Sequence, residues 1–156
     1  MNDVRRLFLK ASMASGAVAV AAGAGLLTPR AVMAAWPKDA FESKGLKQAI
    51  QLINGNSNTT NSKDITVEAP DIAENGAVVS VTVKTRIPKA EKITMLVVEN
   101  ERPLAASYVL GKQTEGFVTG RIKMRKTSDV IVIVKAGDKL YSAKKTVKVT
   151  LGGCGG

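Results

Sequence analysis

The stretch Ala77-Val78-Val79-Ser80-Val81-Thr82-Val83-Lys84 decides the fold class of this chain. Its odd-numbered positions are all apolar, and its even-numbered positions are polar except for Val78. Successive side chains of a β-strand point to opposite faces of a sheet, so this alternation predicts a strand with one buried face. The preceding Glu74-Asn75-Gly76 is typical of a turn.

The rest of the chain toward the C-terminus also has the side-chain patterns of β-strands. Residues 117–124 and 140–151 repeat the alternation, residues 93–98 and 130–134 are apolar on both faces, and residues 104–110 form a further strand that Gly111 closes. About seven short strands with frequent turn signals indicate an immunoglobulin-like antiparallel β-sandwich. The sequence therefore predicts one mainly-β domain over residues 36–151, with no internal repeat.

A short N-terminal helix is predicted ahead of the strands. Its apolar residues fall at helical spacing: Phe41, Leu46, Ala49, Ile50 and Ile53. The spacing predicts one amphipathic helix over residues 39–54, with Asn54-Gly55 as its stop. Residues 56–63 are all polar and are predicted to form a loop.

The two strands that are apolar on both faces, residues 93–98 and 130–134, have two explanations. Either the chain's own helix and loops cover their outer face, or a partner subunit does. The sequence alone leaves both open.

The N-terminal segment has the three parts of a cleaved signal peptide in their usual order: a basic part, an apolar part and a small-residue cleavage site. Val4-Arg5-Arg6-Leu7-Phe8-Leu9-Lys10 resembles the twin-arginine export motif, and an Ala/Gly-rich apolar stretch and a small-residue segment follow it. Residues 1–35 are expected to be removed, with the cut after Ala34 or Ala35. The alternative, a retained membrane anchor, fits less well, because serine and glycine dilute the apolar stretch. The twin-arginine resemblance implies export of a folded protein to the periplasm, with no membrane attachment after cleavage.

The composition argues against a self-contained enzyme. The chain has no histidine and one cysteine, which excludes Ser-His and Cys-His pairs, imidazole metal ligands, Cys-rich zinc sites and internal disulfides. Its 13 acidic residues are scattered, and none is marked as a catalytic pair. We therefore expect no catalytic residues, no metal and no resident cofactor.

The charge is strongly basic. The full chain carries a formal charge of +10, and loss of four basic residues and one acidic residue with the signal leaves about +7. Nucleic acid is not the expected partner, because the protein is exported and its 4% of aromatic residues provide no platform for base stacking. Arg121, Lys123 and Arg125 share one face of a predicted strand and are candidates for docking acidic partners or small anions.

The chain ends in Leu151-Gly152-Gly153-Cys154-Gly155-Gly156. Cys154 is the only distinctive side chain in a terminal arm whose other members are Gly152, Gly153, Gly155 and Gly156. Glycine adds no bulk and tolerates nearly any backbone conformation, so the arm is predicted to be flexible and to reach roughly 17 Å from its anchor. The sequence predicts an arm that presents one sulfur to the active sites of other proteins.

The Cys154 thiol is expected not to be activated by its own chain. A free cysteine has a pKa of ~8.5, so roughly 3% is thiolate at pH 7. The nearest basic side chain in sequence is that of Lys148, and the terminal carboxylate lies two residues ahead. Activation is expected from the enzyme that receives the arm.

These features together resemble the SoxY family, the sulfur carriers of the periplasmic Sox thiosulfate-oxidising system. The resemblance lies in the Gly-Gly-Cys-Gly-Gly terminus, the twin-arginine leader, Trp36-Pro37, residues 71–79 and residues 147–151. It implies an immunoglobulin-like sandwich that pairs with a SoxZ-like subunit. It also implies that a haem enzyme couples thiosulfate to Cys154 as an S-thiosulfonate. A hydrolase then releases sulfate and leaves a persulfide-type sulfur for further Sox components.

Three other functions remain as alternatives. An exported structural or adhesive sandwich would join copies through an intermolecular Cys154 disulfide, but a fixed bridge leaves the glycines unexplained. A ubiquitin-like sulfur carrier would use a terminal carboxylate and ATP, which the periplasm lacks. A periplasmic metal or redox chaperone would need better ligands than one cysteine and no histidine.

Overall fold

The computed structural model describes residues 37–151. The predicted signal peptide with Arg5 and Arg6, and the predicted arm with Cys154, lie outside the described residues. The elements are α1 (Lys38–Glu42), α2 (Leu46–Asn54), β1 (Thr59–Asn61), β2 (Ile65–Glu68), β3 (Ile72–Asn75), β4 (Val79–Thr85), β5 (Lys92–Val97), β6 (Leu104–Val109), β7 (Phe117–Ile122), β8 (Ser128–Ala136) and β9 (Lys139–Leu151).

The strands form two sheets, and the predicted mainly-β sandwich is confirmed. The larger sheet has the order β1-β9-β8-β5-β6, with β3 also paired to β9, and the smaller sheet has the order β2-β4-β7. The strands β2, β4 and β7 against β5, β8 and β9 correspond to the A-B-E and C-F-G sheets of an immunoglobulin sandwich.

The alternation in β4 places its apolar face in the core, as predicted. Val79, Val81 and Val83 are buried between the sheets, whereas Ser80 and Lys84 are exposed. The core between the sheets also takes buried apolar residues from the larger sheet, among them Ile93, Met95, Val97, Val130, Val132, Val134 and Val147. Burial of these side chains is the main force that holds the two sheets together.

A second apolar cluster lies on the outer face of the larger sheet. Leu96 from β5, Ile133 from β8 and Leu140 from β9 pack with residues of the two helices. The helices contribute Ala40, Ala49, Ile50 and Ile53. The chain's own helices therefore cover this part of the doubly apolar strands. The apolar side chains on the outer face of these strands are explained without a partner subunit.

The predicted single helix over residues 39–54 is wrong in one respect. The segment forms two helices, because Ser43 and Gly45 adopt extended backbone conformations between them. The Ser43 hydroxyl donates to the Gly45 carbonyl at 3.2 Å, which stabilises the break. The predicted stop is confirmed, since Gly55 closes α2 with a left-handed φ of 87° that glycine adopts without strain.

Two further expectations need correction. The predicted loop 56–63 contains β1, which has no buried side chain and forms because its backbone pairs with β9. The sandwich is also not wholly antiparallel, since β1 and β3 both run parallel to β9. Backbone groups can pair whatever their side chains are, so neither β1 nor the parallel pairing could be predicted from the pattern of apolar residues.

Candidate functional site: the end of β9 and the loops beside it

The final strand brings the chain to the predicted arm. β9 has 13 residues and pairs with β8 along Lys139–Val147, and its last residues, beyond that ladder, pair with β3. The Leu151 carbonyl accepts a 2.7 Å hydrogen bond from the Gly76 amide, and the Thr150 hydroxyl donates to the Glu74 carbonyl at 2.9 Å. We call Leu151 and these backbone partners the arm root. The root is thus held by the sheet up to the first glycine of the terminal sequence.

Thr127 secures the same segment from the other side. Its hydroxyl accepts a hydrogen bond from the Val149 amide at 2.9 Å and lies 3.4 Å from the Val149 carbonyl, to which it donates. The regular β8–β9 ladder begins only at Ser128 and Val147. The Thr127 side chain therefore continues the pairing of β9 where the backbone ladder has stopped.

Replacement of Thr127 by valine is expected to loosen the arm root. The isosteric change removes both hydrogen bonds, so the free energy of unfolding should fall by about 1 kcal/mol. Relative to the wild-type protein, the variant should exchange the Val149 amide faster, and this acceleration should exceed that of amides in the middle of β9. The control is Thr66→Val, an exposed β2 position whose hydroxyl makes no hydrogen bond within residues 37–151. Equal effects of the two variants would contradict the assigned role of Thr127.

An ion pair fastens β3 beside the root. The Lys145 ammonium donates a hydrogen bond to the Asp71 carboxylate, and the Lys148 amide donates to the Asp71 carbonyl at 2.9 Å. The hydrogen bond from Lys145 and its positive charge hold the pKa of the Asp71 carboxyl below its ordinary value. Asp71 is therefore ionised at neutral pH, and its exposed pair with Lys145 adds only slightly to the backbone pairing of β3 with β9.

Three exposed apolar side chains lie on the elements that meet at the root. Ile72 is 57% exposed, Val78 57% and Leu151 69%. They lie on β3, on the turn that follows it and at the end of β9. Ile72 pairs with Lys148, and Leu151 pairs with Asn75, so Ile72 and Leu151 lie on opposite faces of the β3–β9 ladder and the three side chains do not form one apolar patch.

The predicted basic face of Arg121, Lys123 and Arg125 is divided in the structure. β7 ends at Ile122, so Arg121 lies within the strand opposite Ser80, whereas Lys123 and Arg125 lie in the loop beyond it. Lys123 and Arg125 line a cleft with Asn100, Glu101 and Arg102, which belong to the β5–β6 connection. We call these five residues the basic cleft.

Sequence reasoning missed Arg102 and Asn100. The available signal was the polar run Glu99-Asn100-Glu101-Arg102-Pro103 between two strands. This run predicts a turn, but it does not predict that the turn contacts the loop after β7. Within residues 37–151, no group of acidic residues is arranged to hold a metal ion. No helix in that same range combines the length and apolar character needed to cross a membrane.

The comparisons with known proteins agree on one family. Residues 50–154 match the family model described as sulfur oxidation protein SoxY. No curated protein sequence matches the chain. The solved structure of the sulfur carrier protein SoxY from Chlorobium limicola f thiosulfatophilum is 42% identical, with a TM-score of 0.62, and the match covers 68% of this chain and 96% of that chain. The sandwich, the final strand that leads to the terminal glycines and these matches together show that the chain belongs to the SoxY family of sulfur oxidation proteins.

Proposed function

We propose that this protein is an exported carrier that holds sulfur intermediates covalently on Cys154 and presents them to separate enzymes. The observation that carries the proposal is that the family match extends to Cys154, the only cysteine of the chain. The structure supports it by anchoring the root of the terminal segment three residues before that thiol. Covalent attachment keeps reactive intermediates from diffusing away and raises their effective concentration at each enzyme.

The proposed cycle begins with an oxidative coupling. The Cys154 thiolate and thiosulfate form one S–S bond and release two electrons: Cys–S⁻ + S₂O₃²⁻ → Cys–S–S–SO₃⁻ + 2 e⁻. The electrons pass to a haem enzyme, which the resemblance implies as the coupling partner. Hydrolysis then breaks the bond to the sulfonate sulfur: Cys–S–S–SO₃⁻ + H₂O → Cys–S–S⁻ + SO₄²⁻ + 2 H⁺. The persulfide that remains is the substrate of further Sox components.

The carrier itself needs no resident cofactor and no catalytic residue for these steps. An ordinary cysteine is mostly a thiol at neutral pH, which protects it in transit. The glycines on both sides of Cys154 add no side chains, so active sites of different shapes can admit the same sulfur. Gly152, Gly153, Gly155 and Gly156 are assigned this role, and the partner enzymes supply activation of the thiol.

The proposed partners are a SoxZ-like subunit, the haem enzyme, the sulfate-releasing hydrolase and other Sox components. Val78 and Leu151 are exposed apolar side chains on the elements of the arm root, and such proteins can contact them close to the carried sulfur. Export through the twin-arginine route, directed by Arg5 and Arg6, would place the carrier in the periplasm. Removal of residues 1–35 would leave it without a membrane anchor.

Mass spectrometry tests the carrier function. The protein is incubated with thiosulfate and periplasmic extract, and the intact mass and the C-terminal peptide are then measured. We expect added masses of one thiosulfate-derived group and of one sulfane sulfur, both on the peptide that contains Cys154. A thiol that stays unmodified, or one held in a stable disulfide-linked homodimer in vivo, would contradict the proposal and support the adhesive alternative.

A further inference from the structure

The basic cleft lies at the same end of the sandwich as the arm root. It has a volume of about 530 Å³ and lies between the β5–β6 connection and the residues that follow β7. Arg102 enters from the first loop, and Lys123 and Arg125 enter from the second. All three side chains are exposed, so a ligand can reach them directly from solvent.

Asn100 holds the two walls of the cleft in register. Its side-chain amide donates to the Lys123 carbonyl at 2.8 Å, and its side-chain oxygen accepts from the Arg125 amide at 2.9 Å. An ion pair between Lys126 and Glu99, at 2.8 Å, joins the same two loops. Asn100 is therefore a positioning residue that fixes the backbone from which Lys123 and Arg125 extend.

The charges of the cleft are not balanced from within. Among residues 37–151, no carboxylate lies within ion-pair distance of Arg102, Lys123 or Arg125. The one acidic residue that lines the cleft, Glu101, is already paired with Lys44 at 2.9 Å. That hydrogen bond, together with the charges of Lys44, Arg102 and Arg125, keeps the pKa of Glu101 below its ordinary value. The cleft therefore keeps an excess of positive charge.

The arm root lies close to this charge. Gly76 joins the two, because its amide donates to the Leu151 carbonyl and its carbonyl accepts from the Met124 amide, each at 2.7 Å. Because both hydrogen bonds meet at this one turn residue, the backbones at Leu151 and Met124 lie close together. Met124 stands between Lys123 and Arg125 in sequence. Three residues from Leu151 to Cys154 span at most about 11 Å, so a group carried on Cys154 is within reach of the cleft.

We propose that the basic cleft binds a small sulfur oxyanion, the sulfonate or sulfate group, through Arg102, Lys123 and Arg125. Guanidinium groups suit this ligand, because their planar donors match pairs of oxyanion oxygens, and lysine adds a compact charge. The same chemistry has two sources: a free anion, or the sulfonate end of the adduct on Cys154. The second source rests on the proposed carrier function, and the first does not.

Binding of free anions is measured on the chain carrying Cys154→Ser, so that no covalent reaction intervenes. Sodium sulfate and sodium thiosulfate are titrated against sodium chloride at matched ionic strength, and backbone amides are followed by NMR. We expect saturable shifts in residues 99–102 and 123–126. Loss of one charge should weaken binding about fivefold, so Arg102→Gln, Lys123→Gln and Arg125→Gln together should weaken it about a hundredfold.

The matched control removes three charges far from the cleft: Lys63→Gln, Lys112→Gln and Lys139→Gln. These lysines are exposed and form no ion pair within residues 37–151. The control triple should bind sulfate within about twofold of the parent at equal ionic strength. Absence of saturable shifts, or an equal loss in both triples, would overturn the proposal.

A second measurement distinguishes the sources. The wild-type chain is loaded with thiosulfonate on Cys154 and titrated with sulfate. If the carried group fills the cleft, the same amides are shifted before sulfate is added, and the apparent affinity for sulfate falls at least tenfold. Unchanged titration of the loaded chain assigns the cleft to free anions. Failure of the carrier function would appear instead as failure to load Cys154, while the Cys154→Ser titration would still report on the cleft.

Discussion

Cys154→Ser is expected to abolish thiosulfate-dependent sulfur turnover and to leave the fold unchanged. The chain contains no second thiol that could take over, so loss of covalent loading should be complete. A serine hydroxyl is hardly ionised at neutral pH and cannot form the S–S bond of the first intermediate. Residues 37–151 should keep their stability, because the substitution lies outside the sandwich. The measurements are turnover in a reconstituted system, intact mass after loading, and thermal unfolding of both proteins.

A relocated thiol provides the control for position. Thr66 is exposed on β2, in the smaller sheet, whereas β9 belongs to the larger one. Cys154→Ser combined with Thr66→Cys keeps one accessible thiol in the protein but removes it from the terminal sequence. We expect this variant to remain inactive, because a sulfur on the sheet surface cannot enter a narrow active site. Turnover in either variant would refute the assignment of Cys154 as the carrier.

Leu96→Ala is expected to produce the largest loss of stability among single apolar truncations on the outer face of the larger sheet. Leu96 is fully buried beneath the helices, in the cluster that includes Ile50 and Ile133. Truncation removes the burial of its side chain and leaves a cavity in the layer that attaches the helices, which typically costs about 2–5 kcal/mol. Domains of this size have only about 5–15 kcal/mol of total stability, so the effect is severe. Chemical denaturation with two-state fitting measures it.

Val98→Ala is the matched control for this layer. Val98 lies two residues after Leu96, just beyond the end of β5, and is 36% exposed. Its truncation should cost less than about 1 kcal/mol, since no closed cavity forms. A similar loss in both variants would show that the helices do not seal the outer face of the sheet in solution.

Local side-chain patterns predict the two-sheet core well. The alternating valines of β4 predict that one of its faces is buried, and the apolar residues on both faces of β5 and β8 predict that both of their faces are buried. The stop at Gly55 is also predicted, because a left-handed backbone strongly favours glycine. The helix break at residues 43–45 was not predicted. The apolar spacing continues across it, and the Ser43 hydrogen bond that stabilises it depends on the folded turn.

The sequence by itself determined that this chain is a β-sandwich whose last strand leads to a glycine-flanked cysteine. The spacing of apolar side chains predicts which strand faces are buried, and the order of residues along the chain is given directly. Only the tertiary structure decided which polar loops meet. Arg102 stands 21 residues before Lys123 and shows no pattern with it. The two come together because Asn100 hydrogen-bonds across neighbouring loops. The parallel pairing of β1 and β3 with β9 was likewise decided by the backbone, whose hydrogen-bonding groups are the same at nearly every residue and so carry no sequence signal.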